Sequence, residues 1–289
     1  MASKLGLNLL LWTSELTKKH YPLLQTLKEL GFDTAEIPVF DPGKLDVGKV
    51  KALLDKYGLD ATLCGAFPKK AHLGSGSATA RNAGIRFVRK LIETASKLGS
   101  DMVVGPLYSP VGYLTGKPRT AAEWKNAVRC YREIAKFAED HAVTVAVEPL
   151  NRFETYFLNT ALDTRNFVQE IGSPRIGILF DTFHANIEEK NLFEALNDCD
   201  PCLAHVHISE NDRGVPGTGH LDWDGIRWAL RAMGYSGRLV VETFGYVVPE
   251  IARAAAIWRP LYTDADSFAV EALYHLQQRF GTRKRAFSG

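Results

Sequence analysis

The chain has 289 residues, 46% of them hydrophobic and 24% charged, a balance that supports a large buried core and argues against disorder. Its 35 Lys and Arg against 33 Asp and Glu leave a formal charge of +2, with no long run of one sign. That gives no electrostatic basis for nucleic acid or an anionic membrane as a partner, and a small neutral substrate fits it better.

Short β-rich runs alternate with longer amphipathic stretches along the whole chain. Residues 5–12 read as a strand, and residues 22–30 as a helix closed by Gly31. The unit repeats as a strand over 34–40 with a helix over 46–57, then 60–67 with 79–98, then 101–107 with 120–141. The second half supplies strands over 144–150, 176–181, 203–209 and 238–244, each followed by a helical pattern, the last over 264–280. Gly31, Gly58 and Gly99 each stand where a helix must stop and the chain turn back, the position that favours a left-handed residue.

Eight such alternations with right-handed crossovers form either an open doubly wound sheet or a closed α/β barrel. The Gly-rich stretches Gly74-Ser-Gly76 and Gly214-Val-Pro-Gly217-Thr-Gly219 do not join a first strand to its helix, so they read as loops rather than a dinucleotide fingerprint. A single (β/α)8 barrel, a fold that runs to about 250 residues as one unit, is therefore expected over residues 1–289. Its tail, at about 282–289 and containing Arg283-Lys284-Arg285, reads as a solvated basic end. No signal-type segment opens the chain and its apolar runs are strand-sized, which points to a cytoplasmic protein. Cys64, Cys130, Cys199 and Cys202 are too few and too scattered for a disulfide framework. The Cys199-Asp-Pro-Cys202 pair has no second pair to complete a zinc site, so free thiols are expected.

Barrel chemistry sits at the C-terminal ends of the strands. Glu148, Asp181 and Glu242 each follow apolar residues at or near such an end, in Thr144-Val-Ala-Val-Glu148, Gly177-Ile-Leu-Phe-Asp181 and Leu239-Val-Val-Glu242. His205-Val-His207 puts two imidazoles on one side of the seventh strand, His207 nearer the catalytic end and His205 a layer deeper, where it reads as a core histidine. Taken singly, any one of these acids could be a helix cap or half of a salt bridge. Three carboxylates around one point repel unless a cation lies among them, and with one imidazole they form an oxygen-rich shell. That shell suits Mn²⁺ first, and Co²⁺ or Mg²⁺ also. A metal with open positions polarises a carbonyl and eases loss of the adjacent proton, and Glu148 and Glu242, on strands five and eight, could serve as two acid/base groups on opposite faces.

At these residues the chain resembles the D-tagatose and D-allulose (psicose) 3-epimerase family of the xylose-isomerase-like barrels. The resemblance runs nearly end to end. It is strongest at Glu148-Pro-Leu-Asn-Arg-Phe-Glu154, Asp181-Thr-Phe-His184-Ala-Asn-Ile-Glu188-Glu189, His205-Val-His207-Ile-Ser-Glu210 and Glu242-Thr-Phe. It implies a divalent metal on Glu148, Asp181, His207 and Glu242, and exchange of the C3 proton of a free ketose by Glu148 and Glu242 through a cis-enediolate. D-fructose to D-allulose, D-tagatose to D-sorbose and L-ribulose to L-xylulose are the conversions it implies. It further implies that Glu154, His184 and Arg213 bind the O1 and O2 end of the sugar, and that the protein is a homodimer or homotetramer.

Departures from the family fall at Asn8, where an aromatic residue is usual, and in the loop around 108–118 that carries Tyr108. Asn8, Tyr108 and Cys64, which ends the third strand, are candidate substrate contacts. Cys64 reads equally as a buried structural thiol. Trp12, Phe67, Tyr108, Tyr113 and Trp258 are candidates for an apolar wall. Proton transfer between C1 and C2 would use the same metal and the same intermediate, so an aldose–ketose or hydroxypyruvate-type isomerase is the nearest alternative. A DNA-repair endonuclease of the superfamily would need a multinuclear zinc cluster and a basic face, and an inactive sugar-binding barrel would not need both glutamates.

Overall fold

The computed structural model describes residues 3–245 and 248–281, so the tail expected at 282–289 lies outside the described residues. Eight strands run parallel and close in sequence order: β1 (Lys4–Asn8), β2 (Thr34–Pro38), β3 (Asp60–Cys64), β4 (Met102–Gly105), β5 (Thr144–Val147), β6 (Ile176–Asp181), β7 (Leu203–Ile208) and β8 (Arg238–Val241), with β8 pairing back on β1. Around them lie α1 (Pro22–Leu30), α2 (Val47–Tyr57), α3 (Ala78–Leu98), α4 (Ala121–Asp140), α5 (Ala161–Ile171), α6 (Thr182–Glu188), α7 (Leu192–Asp198), α8 (Trp223–Ala232), α9 (Pro249–Ala254) and α10 (Ala265–Phe280). Among the described residues, no helix is long and apolar enough to cross a membrane.

Local chemistry sets these boundaries. Asp46, Ser77, Thr120 and Asp264 cap their helices by accepting a backbone N–H from the first turn. Gly31, Gly58 and Gly99 end α1, α2 and α3 with φ of 108°, 61° and 80°, the left-handed turn their positions predict. Most strands stop a few residues earlier than the apolar runs suggest. β1 ends at Asn8 rather than near Trp12, because the Asn8 side chain accepts the Leu10 N–H at 2.9 Å and bends Leu9–Leu11 into a 3₁₀ turn. The rest of each apolar run forms loop over the barrel mouth.

Strand alternation separates two apolar layers. Leu7, Ile37, Leu63, Val103, Val145, Val147, Ile178, Phe180, Val206, Ile208 and Val241 point outward and pack against the helices in the main core. Leu10, Cys64, Met102, Val104, Ala146 and Leu179 fill a smaller core inside the barrel. Below it, at the N-terminal mouth, Arg238 reaches Asp60 at 2.6 Å and Asp101 at 2.8 Å, and Lys4 reaches Asp60 at 3.0 Å. At the opposite, C-terminal mouth stand the buried acids Glu148, Asp181 and Glu242.

One backbone contact near that mouth is sensitive. Gly105 has φ of 129°, and a Cβ there would stand 2.2 Å from the Gly65 carbonyl oxygen. The substitution Gly105→Ala should therefore combine strain and clash and cost at least about 2 kcal/mol, read as a lower urea midpoint at unchanged slope. A midpoint equal to that of the parent chain would show that β3 and β4 can separate freely here.

Candidate metal centre and active site

Four side chains from adjacent strand ends converge. Glu148 stands one residue past β5, Asp181 ends β6, His207 lies within β7 and Glu242 stands one residue past β8. All four are buried, and one ligand atom from each falls within 4.8 Å of the others. His207 Nδ1 is the focus, at 3.4 Å from Glu242, 3.7 Å from Asp181 and 3.8 Å from Glu148. That nitrogen is buried without a hydrogen-bond partner, aimed at three carboxylates. A buried orphan nitrogen ringed by carboxylate oxygens is the donor set a divalent cation requires, so these residues fit a metal site.

The charges within this cluster act on one another in opposite directions. Burial and the neighbouring Glu242 push the Glu148 carboxyl well above the usual carboxylate range. Burial alone would also raise Asp181, but Arg213 and His207 outweigh it and hold it well below. His207 is pushed up despite its burial, because Glu242 and Glu36 favour the imidazolium. Opposite shifts within one small cluster mark a site where a bound cation would replace protons.

The surrounding residues fix the first set from outside. Asp181 divides its oxygens: Oδ1 accepts the Phe183 N–H at 2.6 Å and so caps α6, while Oδ2 meets Arg213 Nη1 at 2.8 Å. The cap sets the first turn of α6 and with it His184, whose Nδ1 accepts the Asn151 N–H at 3.1 Å. His184 Nε2 lies 3.0 Å from Arg213 Nη2 and 3.8 Å from Glu148. Burial lowers the His184 pKa to about 3, which keeps the ring neutral. Arg213 also donates to Ser209 at 2.7 Å and Glu242 at 3.1 Å, and its guanidinium lies between the Phe183 and Phe244 rings at 4.1 and 4.7 Å. Arg213 itself has φ of 65°. Its loop is held by buried Glu210, which accepts N–H groups from Gly217 at 2.7 Å and from the Trp223 indole at 3.0 Å. Glu154 accepts from Asn151 Nδ2 at 2.8 Å rather than pairing directly with Arg213, and burial raises its pKa.

A cavity of about 150 Å³ opens over this cluster. Glu148, Glu154, His184, Arg213, Glu242 and Cys64 line it, together with Leu10, Phe40, Val111, Phe244 and Ile251. Two expected contacts are placed elsewhere. Tyr108 is fully buried, stacks on Phe157 and sends its hydroxyl to the Leu158 carbonyl, and Asn8 turns its amide toward Glu36 and Glu242 beneath the cavity. The other aromatic wall candidates, Trp12, Phe67, Tyr113 and Trp258, do not line the cavity either; its aromatic lining is Phe40 and Phe244, which were not among the candidates.

Sequence reading missed Glu36. This fully buried carboxylate on β2 faces His207 Nε2 at 2.7 Å and His205 Nε2 at 3.0 Å, so the deeper histidine is a neighbour of the centre's support. Its signal in the sequence is the one that marks Glu148, an acid set among apolar strand residues, here between Ala35 and Ile37. Its place in mid-strand, in the first half of the chain, concealed it.

Residues 24–261 match the family model of the xylose isomerase-like TIM barrel. A ketose 3-epimerase of Arthrobacter globiformis is 33% identical over 273 residues, covering 93% of this chain and 94% of that protein. A probable ketose 3-epimerase of Synechocystis sp. is 30% identical over 279 residues, covering 96% and 97%. The solved structure of an L-ribulose 3-epimerase superposes with a TM-score of 0.92 at 28% identity, over 97% of this chain and 95% of that one. With a closed barrel and an acid-rich centre at its C-terminal mouth, the chain belongs to the ketose 3-epimerases of the xylose isomerase-like TIM barrel family.

Proposed function

We propose that this protein epimerises a free ketose at C3, using Glu148 and Glu242 as the two proton carriers. The observation that carries the reading is the approach of these two carboxylates, from β5 and β8, to one point under a cavity that also presents Arg213, His184 and Glu154. Glu148, Asp181, His207 and Glu242 would hold a divalent ion, Mn²⁺ first and Co²⁺ or Mg²⁺ as substitutes. Such an ion supplies positive charge beside the ketose oxygens and lowers the barrier to breaking the C3–H bond.

The chain's own groups do the rest. Arg213 and the neutral His184 orient the O1 and O2 end, with Glu154 accepting a hydrogen bond from a sugar hydroxyl. One glutamate removes the C3 proton, the electron pair enters the C2–C3 enediolate, and the other glutamate returns a proton from the opposite face. Leu10, Phe40, Val111 and Ile251 meet the sugar tail by contact and exclude water from the reacting carbon. As a homodimer or homotetramer, the protein would cover Tyr113, Leu114 and Phe153, exposed on two loops joined by the Gly112 N–H to Glu154 carbonyl bond.

The test is incubation of D-fructose, D-tagatose and L-ribulose, each deuterated at C3, with the Mn²⁺-loaded protein. We expect the C3 epimer to accumulate as deuterium passes to water. Aldose as the sole product, with the C3 label intact, would overturn the reading in favour of a C1–C2 isomerase.

A further inference from the structure

We infer that Glu36 is a positioning residue of the metal centre, which, with Asn8 and Thr62, holds the ligands His207 and Glu242 from behind and so sets the affinity of the site for its ion. The inference rests on the metal reading given above and deepens it.

A fully buried carboxylate is costly unless its oxygens are filled, and four neighbours surround those of Glu36. Strand register puts Asn8, Glu36 and Thr62 side by side on β1, β2 and β3. Asn8 Nδ2 donates to Oε1 at 2.9 Å and Thr62 Oγ1 to Oε2 at 2.8 Å. The other two neighbours are imidazole nitrogens, His207 Nε2 at 2.7 Å from Oε1 and His205 Nε2 at 3.0 Å from Oε2.

The His207 contact has a consequence for the centre. An ionised carboxylate only accepts, so the proton between these groups resides on Nε2. The ring is thereby oriented with Nδ1 toward Glu148, Asp181 and Glu242. A carboxylate behind a ligating histidine fixes the tautomer and ring angle and strengthens the nitrogen facing the ion. Asn8 extends the same hold to a second ligand. Its Oδ1 is engaged by the Leu10 N–H, which fixes the amide orientation and leaves Nδ2 to bridge Glu36 Oε1 and Glu242 Oε1, the latter at 3.1 Å. Glu242 Oε2 is then the oxygen that faces His207 Nδ1, at 3.4 Å.

Glu36 also touches His205, so a role confined to packing must be separated from one in the centre. Mn²⁺ is titrated calorimetrically into metal-stripped parent chain, Glu36→Gln and Thr62→Val, with circular dichroism melting of each metal-free sample. For Glu36→Gln we expect the Mn²⁺ dissociation constant to rise by about 10- to 100-fold, and for Thr62→Val by a smaller factor. A folded Glu36→Gln chain that binds Mn²⁺ within about twofold of the parent would overturn the inference, leaving Glu36 a core residue. If Glu36→Gln does not fold, Thr62→Val decides, since unchanged affinity there overturns the inference and weakened affinity supports it. A parent chain that binds no Mn²⁺, Co²⁺ or Mg²⁺ overturns the metal reading and this inference together, whereas normal parent binding with an unmoved Glu36→Gln overturns this one alone.

Discussion

Replacing either Glu148 or Glu242 with glutamine is expected to lower the rate of epimerisation by at least about 10³-fold, equivalent to roughly 4 kcal/mol of transition-state stabilisation. Glutamine keeps the shape of the side chain, so the Asn8 contact to Glu242 and the close packing around Glu148 survive in outline. What disappears is a proton carrier and a negative charge in one step. The two variants should also differ from each other in an informative way. Each retains one base, so each should wash deuterium from C3 of one epimer without completing the inversion, and the epimer affected should be opposite in the two. The measurement is mass loss of C3-deuterated substrate and, separately, of C3-deuterated product, in each variant loaded with Mn²⁺. Near-normal epimerisation by either variant would remove that glutamate from the mechanism. Wash-out of the same epimer by both would show that the carboxylates do not serve opposite faces.

The parts of this centre that the sequence displays are those tied to backbone periodicity. Glu148, Asp181 and Glu242 stand at strand ends after apolar residues, and two-residue alternation puts His207 on the same side as His205. Helix ends were legible for the same reason, since Gly31, Gly58 and Gly99 mark turns that few other residues make cheaply. What escaped depends on relations between strands. Glu36 becomes part of the centre only because closure brings β2 across the barrel from β7, a contact between residues 171 positions apart in sequence. Asn8 looks like a change in the substrate wall when read along the chain, yet its amide faces two carboxylates once β1 lies between β2 and β8. Tyr108 stands on the expected loop, but its ring turns into the core against Phe157, a choice made by packing among residues far apart in sequence.

Removal of divalent ions should abolish turnover without unfolding the barrel. Exhaustive chelation leaves Glu148, Asp181 and Glu242 around His207, and the cluster has internal means to relieve its charge. Burial and Glu242 favour the protonated form of Glu148, while Arg213 at 2.8 Å and 3.1 Å partly neutralises Asp181 and Glu242. The large apolar layer between strands and helices contains none of these groups, so the fold is expected to persist without the ion. Binding of an ion to the folded chain alone should nevertheless raise stability. At 100-fold excess over the dissociation constant, the gain is about 2.7 kcal/mol, or a rise in melting temperature of roughly 4–5 °C for a chain of this length. Mn²⁺ and Co²⁺ should each restore both melting temperature and epimerisation, because an oxygen-rich shell with one imidazole accepts either. Differential scanning fluorimetry and product analysis on one chelated and reloaded preparation would read the two effects together. Undiminished epimerisation by a sample shown by elemental analysis to be metal-free would refute the metal's part in the reaction. A reloaded sample that regained its melting temperature but not its activity would place the ion in the structure and outside the chemistry.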